Sequence, residues 1–405
     1  MMNSLFISVT GMSAFTNLIN ISSNNIANME TAGFKASTAS FSEILADSIT
    51  RVAGGDNSGS GVEVQSVSES WTQGSISQAD SSTSLAINGW GMFVVEDPGT
   101  GLQYFTRDGS FSFDNDGNLV YQDSLLVQGY ALDENGNPGP LTDISVSYAN
   151  HPPQATTSIS TTVNLDADAE SGDAFQAVVN VYDSLGTEIP LTITCTRSGV
   201  DGEWDWAAEI PAEYGSVSSG GAGTLTFDST GALTSGTDPA IELTLSTGAS
   251  TQTISWDLYD DAGDTNGGMT QYASDSLLSD SSQDGYASGE LVSVDIDDSG
   301  RVVCTYTTGI STTPFQVAMA DFTNYNGLKK TDGNLYIATL DSGQAVFGRA
   351  GEGKMGMIEG GSVELSNVDL STEMARLITS QTAYQACSRA FSVTNEIFQV
   401  LVNMK

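Results

Sequence analysis

The first 29 residues of this chain contain no charged side chain, although the whole chain of 405 residues carries 50 acidic and 12 basic ones. Over residues 4–27, apolar side chains recur every seven positions, which predicts an α-helix about 36 Å long at about 1.5 Å per residue. The repeat consists of Leu5, Met12, Ile19 and Ile26, with Val9, Phe15 and Leu18 beside it. A stripe of this spacing requires a partner helix to cover it.

The other end of the chain supplies a candidate partner. Ser366 and Asp369 are suited to cap a helix. After them the same seven-residue spacing returns at Leu370, Leu377, Tyr384, Phe391 and Phe398. The remaining helix positions are mostly Ser, Thr, Asn and Gln, including Gln381, where a helix facing water would carry Lys and Glu pairs. The pattern favours two paired helices surrounded by further copies of themselves; an ordinary intramolecular hairpin is the alternative.

Between the helices the sequence predicts β-structure. The chain contains 43 glycines, and alternating or apolar runs broken by turn signals fill 84–130 and 295–360. Asn-Gly at 88 and 135 and Asp-Gly at 108 and 116 each predict a hairpin. The region 155–289 follows His151-Pro152-Pro153 and ends in "SDSLLSDSSQDGYASGE", so we predict linkers at both borders.

The predicted fold class is therefore mainly β with terminal α-helices. The helices form a hairpin or coiled-coil core, and a β-rich flanking domain carries a second, inserted β domain. The predicted domains are a core helix at 1–30 pairing with 366–405, a connecting segment at 31–75 with 355–365, a discontinuous β domain at 76–150 plus 290–354, and an inserted outer β domain at 151–289.

The formal charge of −38 opposes binding to nucleic acid or an anionic membrane, and we predict neither as a partner. Arg197 is the only basic residue between Asp108 and Gly300. The N-terminus lacks the basic region of a cleaved signal and is not predicted to span a membrane. Three distant cysteines, Cys195, Cys304 and Cys387, predict buried free thiols rather than a disulfide framework.

Residues suited to catalysis are scarce. The chain has a single histidine, His151, and two prolines follow it. Without His151 the chain cannot form a Ser-His-Asp triad, and one histidine cannot make a multi-histidine metal site. "GEGKMG" at 351–356 lacks the helix and Ser or Thr of a phosphate loop. "DNDGN" at 114–118 and "DIDDSG" at 295–300 are predicted as turns, because they lack the spacing of a calcium loop. We predict no catalytic, cofactor-binding or metal-binding residues and no enzymatic activity.

One aromatic pair and one acidic cluster leave a carbohydrate-binding protein as an alternative. Trp204 and Trp206 share one strand face, which is more typical of a sheet core than of a sugar platform. The acidic cluster at Asp257, Asp260 and Asp261 is more typical of a solvated loop than of a hydrolytic acid pair.

The termini resemble the bacterial flagellar rod and hook axial proteins. The stretch 10–41 resembles the N-terminal signature of that family and 360–405 its C-terminal signature. The matching residues of the first are Asn24, Asn25, Ala27, Asn28, Thr31, Gly33, Phe34 and Lys35. Those of the second are Glu364, Ser366, Asn367, Val368, Asp369, Glu373, Gln381, Ala383 and Tyr384. Cys387 departs from the pattern, because the family usually has Asn there.

The middle of the chain resembles the flagellar hook proteins of that family. "VVNVYDSLGTEIPLTI" at 178–193 is similar to their inserted domain, whose Tyr-Asp-Ser-Leu-Gly motif is matched by Tyr182, Asp183, Ser184, Leu185 and Gly186. A distal rod or other axial protein is the alternative, although it should lack an insert of this length. An acidic extracellular carbohydrate-binding protein is the alternative from another class.

The resemblance implies a structural subunit exported by the flagellar type III apparatus and polymerised outside the cell into the curved hook, which transmits motor torque to the filament. It implies as partners further copies of the chain, the hook cap, the distal rod and the hook-filament junction proteins. The assembly residues it implies on the helices are Leu5, Met12, Phe15, Ile19, Asn24, Asn25, Ile26, Asn28, Leu370, Leu377, Gln381, Tyr384, Phe391 and Phe398. Thr31, Gly33 and Phe34 are expected to form the turn by which the chain leaves the first helix.

Overall fold

The computed structural model describes residues 2–45, 59–122, 124–133, 135–147, 150–234, 236–259 and 265–403. Its two α-helices lie at the chain ends, α1 at Met2–Ala27 and α2 at Leu370–Asn403. One 3-10 turn lies at Tyr325–Gly327, and strands form the rest of the regular structure. The predicted class, mainly β with two terminal helices, is confirmed.

The strands number 29 among the described residues. The first ten are β1 Ser37–Leu45, β2 Gly59–Glu69, β3 Ile76–Gln78, β4 Leu85–Asn88, β5 Met92–Glu96, β6 Gln103–Thr106, β7 Phe111–Phe113, β8 Leu119–Tyr121, β9 Leu125–Leu132 and β10 Pro138–Asp143. The next ten are β11 Ser158–Asp166, β12 Ala174–Tyr182, β13 Glu188–Arg197, β14 Glu203–Glu209, β15 Gly215–Ser219, β16 Ala222–Thr226, β17 Ala240–Leu245, β18 Gln252–Asp257, β19 Met269–Tyr272 and β20 Leu277–Gln283. The last nine are β21 Leu291–Ile296, β22 Arg301–Tyr306, β23 Ser311–Val317, β24 Met319–Asp321, β25 Lys329–Lys330, β26 Leu335–Ile337, β27 Val346–Gly348, β28 Met357–Gly360 and β29 Ser362–Glu364.

The chain divides into two compact units. The terminal unit comprises Met1–Ser147, Ser293–Cys304 and Ser311–Lys405, and the inserted unit comprises Tyr148–Val292 and Thr305–Ile310. The terminal unit therefore contains both chain ends, whereas the inserted unit comes from the middle of the chain.

The inserted unit is built from two sheets. One has the order β15-β17-β18-β11-β19, with β20 also paired to β11, and the other has the order β12-β13-β14-β16. Along β12, β13 and β14 buried and exposed residues alternate, as expected for strands with one face on a core. A single cluster of buried side chains draws on both sheets. The unit therefore has its own hydrophobic core.

The paired tryptophans of β14 lie in this core. Trp204 and Trp206 are 1% and 5% exposed, and the Trp206 ring packs edge-on against Trp256 at a centroid distance of 5.1 Å. The prediction of a core pair is confirmed, and buried rings cannot act as a sugar platform. Of the predicted acidic cluster, Asp260 and Asp261 lie outside the described residues.

All three cysteines are free. Cys195 and Cys304 are buried, as predicted, and burial raises the pKa of their thiols to about 12 and about 11. Thiols with such pKa values are unreactive at neutral pH. Cys387 is only half-buried, so the prediction of three buried thiols is wrong for this residue.

In the terminal unit most strands belong to one sheet of 13 strands. Its main path is β21-β22-β23-β9-β5-β6-β26-β25, and β7, β8, β10, β24 and β27 pair alongside. Three two-stranded pairs, β1-β2, β28-β4 and β29-β3, complete the unit. In the last two pairs a strand just before α2 joins a strand from the N-terminal quarter of the chain, so the two chain ends are joined by sheet hydrogen bonds as well as by helices.

Five turns share one design, Asp-x-x-Gly-x. They begin at Asp114, Asp133, Asp183, Asp228 and Asp297. In each, one aspartate oxygen accepts the backbone N–H of the second and fourth following residues at 2.7 to 3.1 Å. The glycine has φ between 75° and 86°, a region that glycine enters without steric cost. The calcium-like stretches at 114–118 and 295–300 are therefore turns, as predicted, because backbone N–H groups of the same turn donate to one oxygen of Asp114 and of Asp297.

Two of the four predicted hairpins are absent. Asn88-Gly89 follows β4, which pairs with β28, and the chain then enters β5 in another sheet. Asp108-Gly109 likewise joins β6 and β7, which are not paired with each other. Glycine is needed at position 109 because the backbone of another strand lies close to it. A Cβ on Gly109 would lie 1.8 Å from the carbonyl oxygen of Leu85. The hairpins at 116 and 135 are confirmed.

The linker prediction is wrong for 277–283. This Ser/Asp-rich segment forms β20, which runs antiparallel to β11 with Ser281 opposite Thr161. Most of its residues are exposed, so its composition resembles that of a linker rather than the apolar pattern of a strand. His151 pairs with Gly289 through both backbone N–H groups, and its ring lies 4.7 Å from that of Tyr306.

We predict that Asp183→Ala destabilises the chain by about 1–3 kcal/mol, because the substitution leaves buried N–H donors without an acceptor. The matched control is Asp228→Ala, which removes an exposed aspartate from the same turn design in the same unit and should cost less than half as much. The free energy of unfolding in urea measures both. Equal losses would contradict the assignment of a buried structural role to Asp183.

Acid should remove the stabilising effect of Asp183. Burial acts to raise the pKa of its carboxyl, but hydrogen bonds from Thr187, Thr247 and Leu185 outweigh it and the pKa is lowered. The ionised group therefore stabilises the fold above its unfolded pKa of about 3.9, and this stabilisation is lost as the pH falls. The stability difference between wild type and Asp183→Asn should shrink between pH 6 and pH 3 in urea titrations. With exposed Asp275→Asn as control, a pH-independent difference would contradict the prediction.

Candidate assembly interface

The two terminal helices pack side by side in antiparallel directions. A Cβ placed on Gly11 would lie 3.0 Å from Cys387 Sγ, so the helices approach closely where these residues meet. Phe15 and Leu18, one and two turns further along α1, lie beside earlier α2 residues such as Ala375. Cys387 thus packs on a glycine where the family resemblance expects Asn.

Small residues line the buried face of α1. Its buried members are Ser8, Gly11, Ala14, Ser22 and Asn25. The predicted apolar residues Leu5, Met12, Phe15, Ile19 and Ile26 are only half-buried. Small side chains allow close backbone approach, whereas the predicted stripe consists of large apolar residues and does not include these. The recurrence of Ser8, Gly11 and Ser22 at helical spacing was the available signal.

The predicted residues of α2 fall into two groups. Leu377 and Phe391 are half-buried, whereas Leu370, Gln381, Tyr384 and Phe398 are exposed. Asp369 caps the helix by accepting the Thr372 N–H at 2.7 Å, and Ser366 lies outside it. The exposed large apolar residues of the two helices are Phe6, Ile7, Val9, Leu370, Met374, Ile378, Tyr384, Val393, Ile397, Phe398, Val400 and Leu401. Twelve exposed large apolar side chains on two adjacent helices are typical of a protein–protein interaction site.

The chain leaves α1 through a hydrogen-bonded asparagine turn. Asn28 Nδ2 donates to the Asn24 carbonyl oxygen at 2.9 Å and Thr31 Oγ1 donates to Asn28 Oδ1 at 3.2 Å. The fully buried Asn25 amide both donates to and accepts from the backbone of Ser37, at 2.8 and 2.9 Å. These asparagines therefore hold the end of α1 against the first residue of β1.

Gly33 and Phe34 complete this exit turn. Gly33 has φ +66°, and a Cβ there would lie 2.4 Å from the Asp108 backbone nitrogen, so no larger residue fits. Its N–H donates to the Glu364 carbonyl oxygen at 2.8 Å. Phe34 is buried, with Lys330 Nζ 4.5 Å from its ring centroid. The turn is thus held by both the β-structure and the segment preceding α2.

A buried ion cluster lies directly behind the exit turn. Lys35 Nζ is 2.6 Å from Glu364 Oε1, and Arg107 Nε is 3.0 Å from Glu364 Oε2. The side chains of the three residues are 1%, 0% and 5% exposed. Burial lowers the pKa of both Lys35 and Arg107, and the Glu364 carboxylate opposes that effect. One carboxylate thus compensates two cations from distant parts of the chain.

Backbone groups satisfy most of the remaining polar atoms of this cluster. Lys35 Nζ donates to the Thr72 carbonyl oxygen at 2.9 Å, and Glu364 Oε1 accepts the Gly74 N–H at 2.8 Å. The Arg107 guanidinium donates to the carbonyl oxygens of Gly91 and Gly89 at 2.8 and 2.9 Å. A buried ion group with this hydrogen bonding is strongly destabilised when one member is removed.

Asn367, which precedes α2, forms hydrogen bonds to the residues next to the ion cluster. Its Oδ1 accepts the Ala36 N–H at 2.8 Å, and its Nδ2 donates to the carbonyl oxygens of Ser70 and Thr72 at 2.7 and 3.0 Å. Lys35, Glu364 and Asn367 were noted in the sequence only as residues shared with a family. Their mutual contacts could not be read from it, because 329 residues separate Lys35 from Glu364.

The Tyr-Asp-Ser-Leu-Gly motif lies in the inserted unit at the turn between β12 and β13. Asp183 is fully buried, and Thr247 donates to its second oxygen at 3.0 Å. Leu185, at the tip of the turn, is 61% exposed. The motif therefore builds a turn, and its one exposed large side chain is Leu185.

The described part of the chain contains no group of three or more His, Cys, Asp or Glu residues that could hold a metal ion. The helix segment 4–27 is long and apolar enough to cross a membrane, by length and composition alone. One side of α1 contacts α2, β1 and β2.

Family models match most of the chain. They are "Flagella basal body rod protein" at 5–35, "Flagellar hook protein FlgE/F/G D1 domain" at 86–170, "Flagellar basal body protein FlaE D2 domain" at 154–286 and "Flagellar basal body rod FlgEFG protein C-terminal" at 359–404. The first and last contain the two helices and the exit turn. Together the four define an axial protein of the flagellar rod and hook class.

Similar proteins within the rod and hook class are hook proteins. The chain is 33% identical to the flagellar hook protein FlgE of Brucella suis over 405 residues, covering 98% of this chain and 97% of that one. It is 29% identical to FlgE of Escherichia coli K12, covering 98% of both. The chain belongs to the flagellar hook protein family, and it is a structural subunit of the bacterial hook. This family is not a class of enzymes.

A solved structure agrees with the fold. The crystal structure of the Helicobacter pylori flagellar hook protein FlgE2 superposes with a TM-score of 0.52 and 14% identity, covering 70% of this chain and 99% of that one. At this identity the likeness concerns the fold alone.

We predict that Glu364→Gln lowers the free energy of unfolding by about 3–5 kcal/mol, because two buried cations lose their counter-charge. Glu352→Gln is the matched control. It breaks the exposed pair with Arg349, where the atoms are 3.4 Å apart, and should cost less than about 1 kcal/mol. Urea unfolding measures both. Similar small losses for the two variants would show that the ion cluster does not stabilise the terminal unit.

Proposed function

We propose that copies of this chain polymerise through the outward faces of α1 and α2 into the curved tube of the hook. One observation carries the proposal: the two helices approach closely at Gly11 and leave large apolar residues exposed. Burying such side chains contributes about 1.5–3 kcal/mol each. Neighbouring copies are the natural partners for a surface that a monomer leaves in water.

The absence of charge on α1 supports packing on several sides. A charge buried in a helical wall without a partner would be costly, whereas Ser and Asn can be paired through hydrogen bonds. Thr16 already donates to the Met12 carbonyl oxygen at 2.8 Å, and Thr379 to that of Ala375 at the same distance. Such side chains satisfy themselves within the helix and present little polarity to a neighbour.

The exit turn and the ion cluster suit a subunit that transmits torque. They join the helix pair to the β-structure of the terminal unit by ion pairs, side-chain amides and sheet hydrogen bonds at one place. Force applied to the helices would therefore pass to the β-structure without a flexible connection there. Bending of the hook would instead use contacts between the β domains of neighbouring copies, which are polar, weak and able to re-form.

Family membership supports the remaining parts of the proposal. The subunit is exported through the flagellar type III apparatus and assembled outside the cell. Its partners are the hook cap, the distal rod and the hook-filament junction proteins, besides further copies of itself. The distal-rod alternative is disfavoured by the match of 154–286 to a D2 domain and by hook-protein relatives aligned over nearly the whole chain.

We predict that Ile378→Asp abolishes tube formation while the chain stays folded, because Ile378 is 57% exposed on α2 and a carboxylate there would be buried on assembly. Leu340→Asp is the matched control, since Leu340 is fully exposed outside the helices. Negative-stain electron microscopy at high protein and salt concentration gives the result, with circular dichroism as the folding check. Tubes formed equally by both variants would contradict assembly through the helix pair.

A further inference from the structure

A shallow apolar groove runs along the helix pair. Its volume is about 670 Å³, and its walls are formed by Phe15 and Leu18 of α1 and by Ala375, Arg376 and Thr379 of α2. Ser371, Ala375 and Thr379 are spaced by four residues and therefore share one helix face. Because these side chains are small, the groove has room for the side chains of another helix to approach the α2 backbone.

The far end of α2 has the complementary shape. Gly11 meets Cys387, and α1 begins only 9 residues before Gly11, whereas α2 continues for 16 residues beyond Cys387. About seven described residues of α2, roughly 10 Å of helix, therefore extend past the start of α1. Ile397 and Val400 in this part of the helix share one face with Val393, which lies just before it, and the three are 50%, 59% and 54% exposed. Anchors at i, i+4 and i+7 are typical of a helix that binds in a groove.

The charges of the two surfaces also match. Along α1 there is no charge, and the described part of α2 carries four charged residues, Glu373, Arg376, Arg389 and Glu396. Arg376 lines the groove with its side chain 48% exposed and pairs with the nearly buried Glu373 at 2.9 Å, while Glu396 lies beside the anchors and is exposed. The groove thus carries one partly exposed cation, and the apolar segment carries one exposed anion.

We propose that the end of α2, with Val393, Ile397 and Val400 as anchors, occupies the groove of a second copy, and that its Glu396 pairs with Arg376 there. The segment cannot reach its own groove, because Thr379 and Ile397 are 18 residues apart on one continuous helix, about 27 Å. The inference rests on the proposed function and identifies the surfaces through which the helix pairs would bind each other.

Cross-linking tests the geometry. The chain Thr379→Cys/Ile397→Cys, with Cys387→Ser, can form a disulfide between these positions only between copies. Oxidised during assembly, it should give a ladder of linked chains on a denaturing gel. Leu340→Cys/Ile397→Cys, also with Cys387→Ser, is the control, because Leu340 is fully exposed outside the helices, and it should stay monomeric.

Charge reversal tests the pairing independently of the introduced cysteines. Glu396→Arg should raise the concentration needed for tube formation at least tenfold, whereas Glu396→Asp should keep it within about threefold of wild type, because it keeps the charge. Arg376 is left unchanged, since it also pairs with the nearly buried Glu373. Wild-type tubes without a ladder, together with Glu396→Arg tubes at the wild-type concentration, would overturn this inference and leave the proposed function intact. Wild-type chain that forms no tubes would overturn the proposed function, and the inference with it.

Discussion

The buried contact of Glu364 with Lys35 and Arg107 is the interaction on which the terminal unit depends. A carboxylate without exposure to water is stable only when cations and hydrogen-bond donors surround it. Here the cations come from the turn after α1 and from the strand region after β6, while the carboxylate lies six residues before α2. The cluster therefore fixes where one helix ends relative to where the other begins. Gly33, Asn25 and Asn367 refine that placement through backbone hydrogen bonds.

Once the helix ends are fixed, the small residues of α1 determine how closely the helices pack. Gly11 against Cys387 leaves no room for a larger pair, so the large apolar side chains are displaced to the flanks and the outer faces. A monomer gains little from exposed Phe398 or Ile378, whereas a polymer gains from each of them. The same sequence thus encodes a close internal contact and a surface suited to assembly.

The inserted unit is stabilised by different interactions. Its core follows from alternating burial along β12, β13 and β14, and its turns from aspartates that accept their own backbone N–H groups. These elements are local or nearly so, which explains why the Tyr-Asp-Ser-Leu-Gly motif is recognisable in the sequence. Its surface is acidic, consistent with the excess of 50 acidic over 12 basic residues in the chain.

The sequence by itself determined the two helices, the β-rich middle, the core position of Trp204 and Trp206, and membership of the rod and hook class. These features depend on periodicity and local motifs, which act over a few residues. Only the tertiary structure decided which glycines make hairpins and which allow backbones to touch, that 277–283 is a strand, and that Lys35, Arg107 and Glu364 meet. Such contacts join residues that are 24 positions apart at Leu85 and Gly109 and 329 apart at Lys35 and Glu364, and their energy comes from burial and pairing that exist only after the chain has folded.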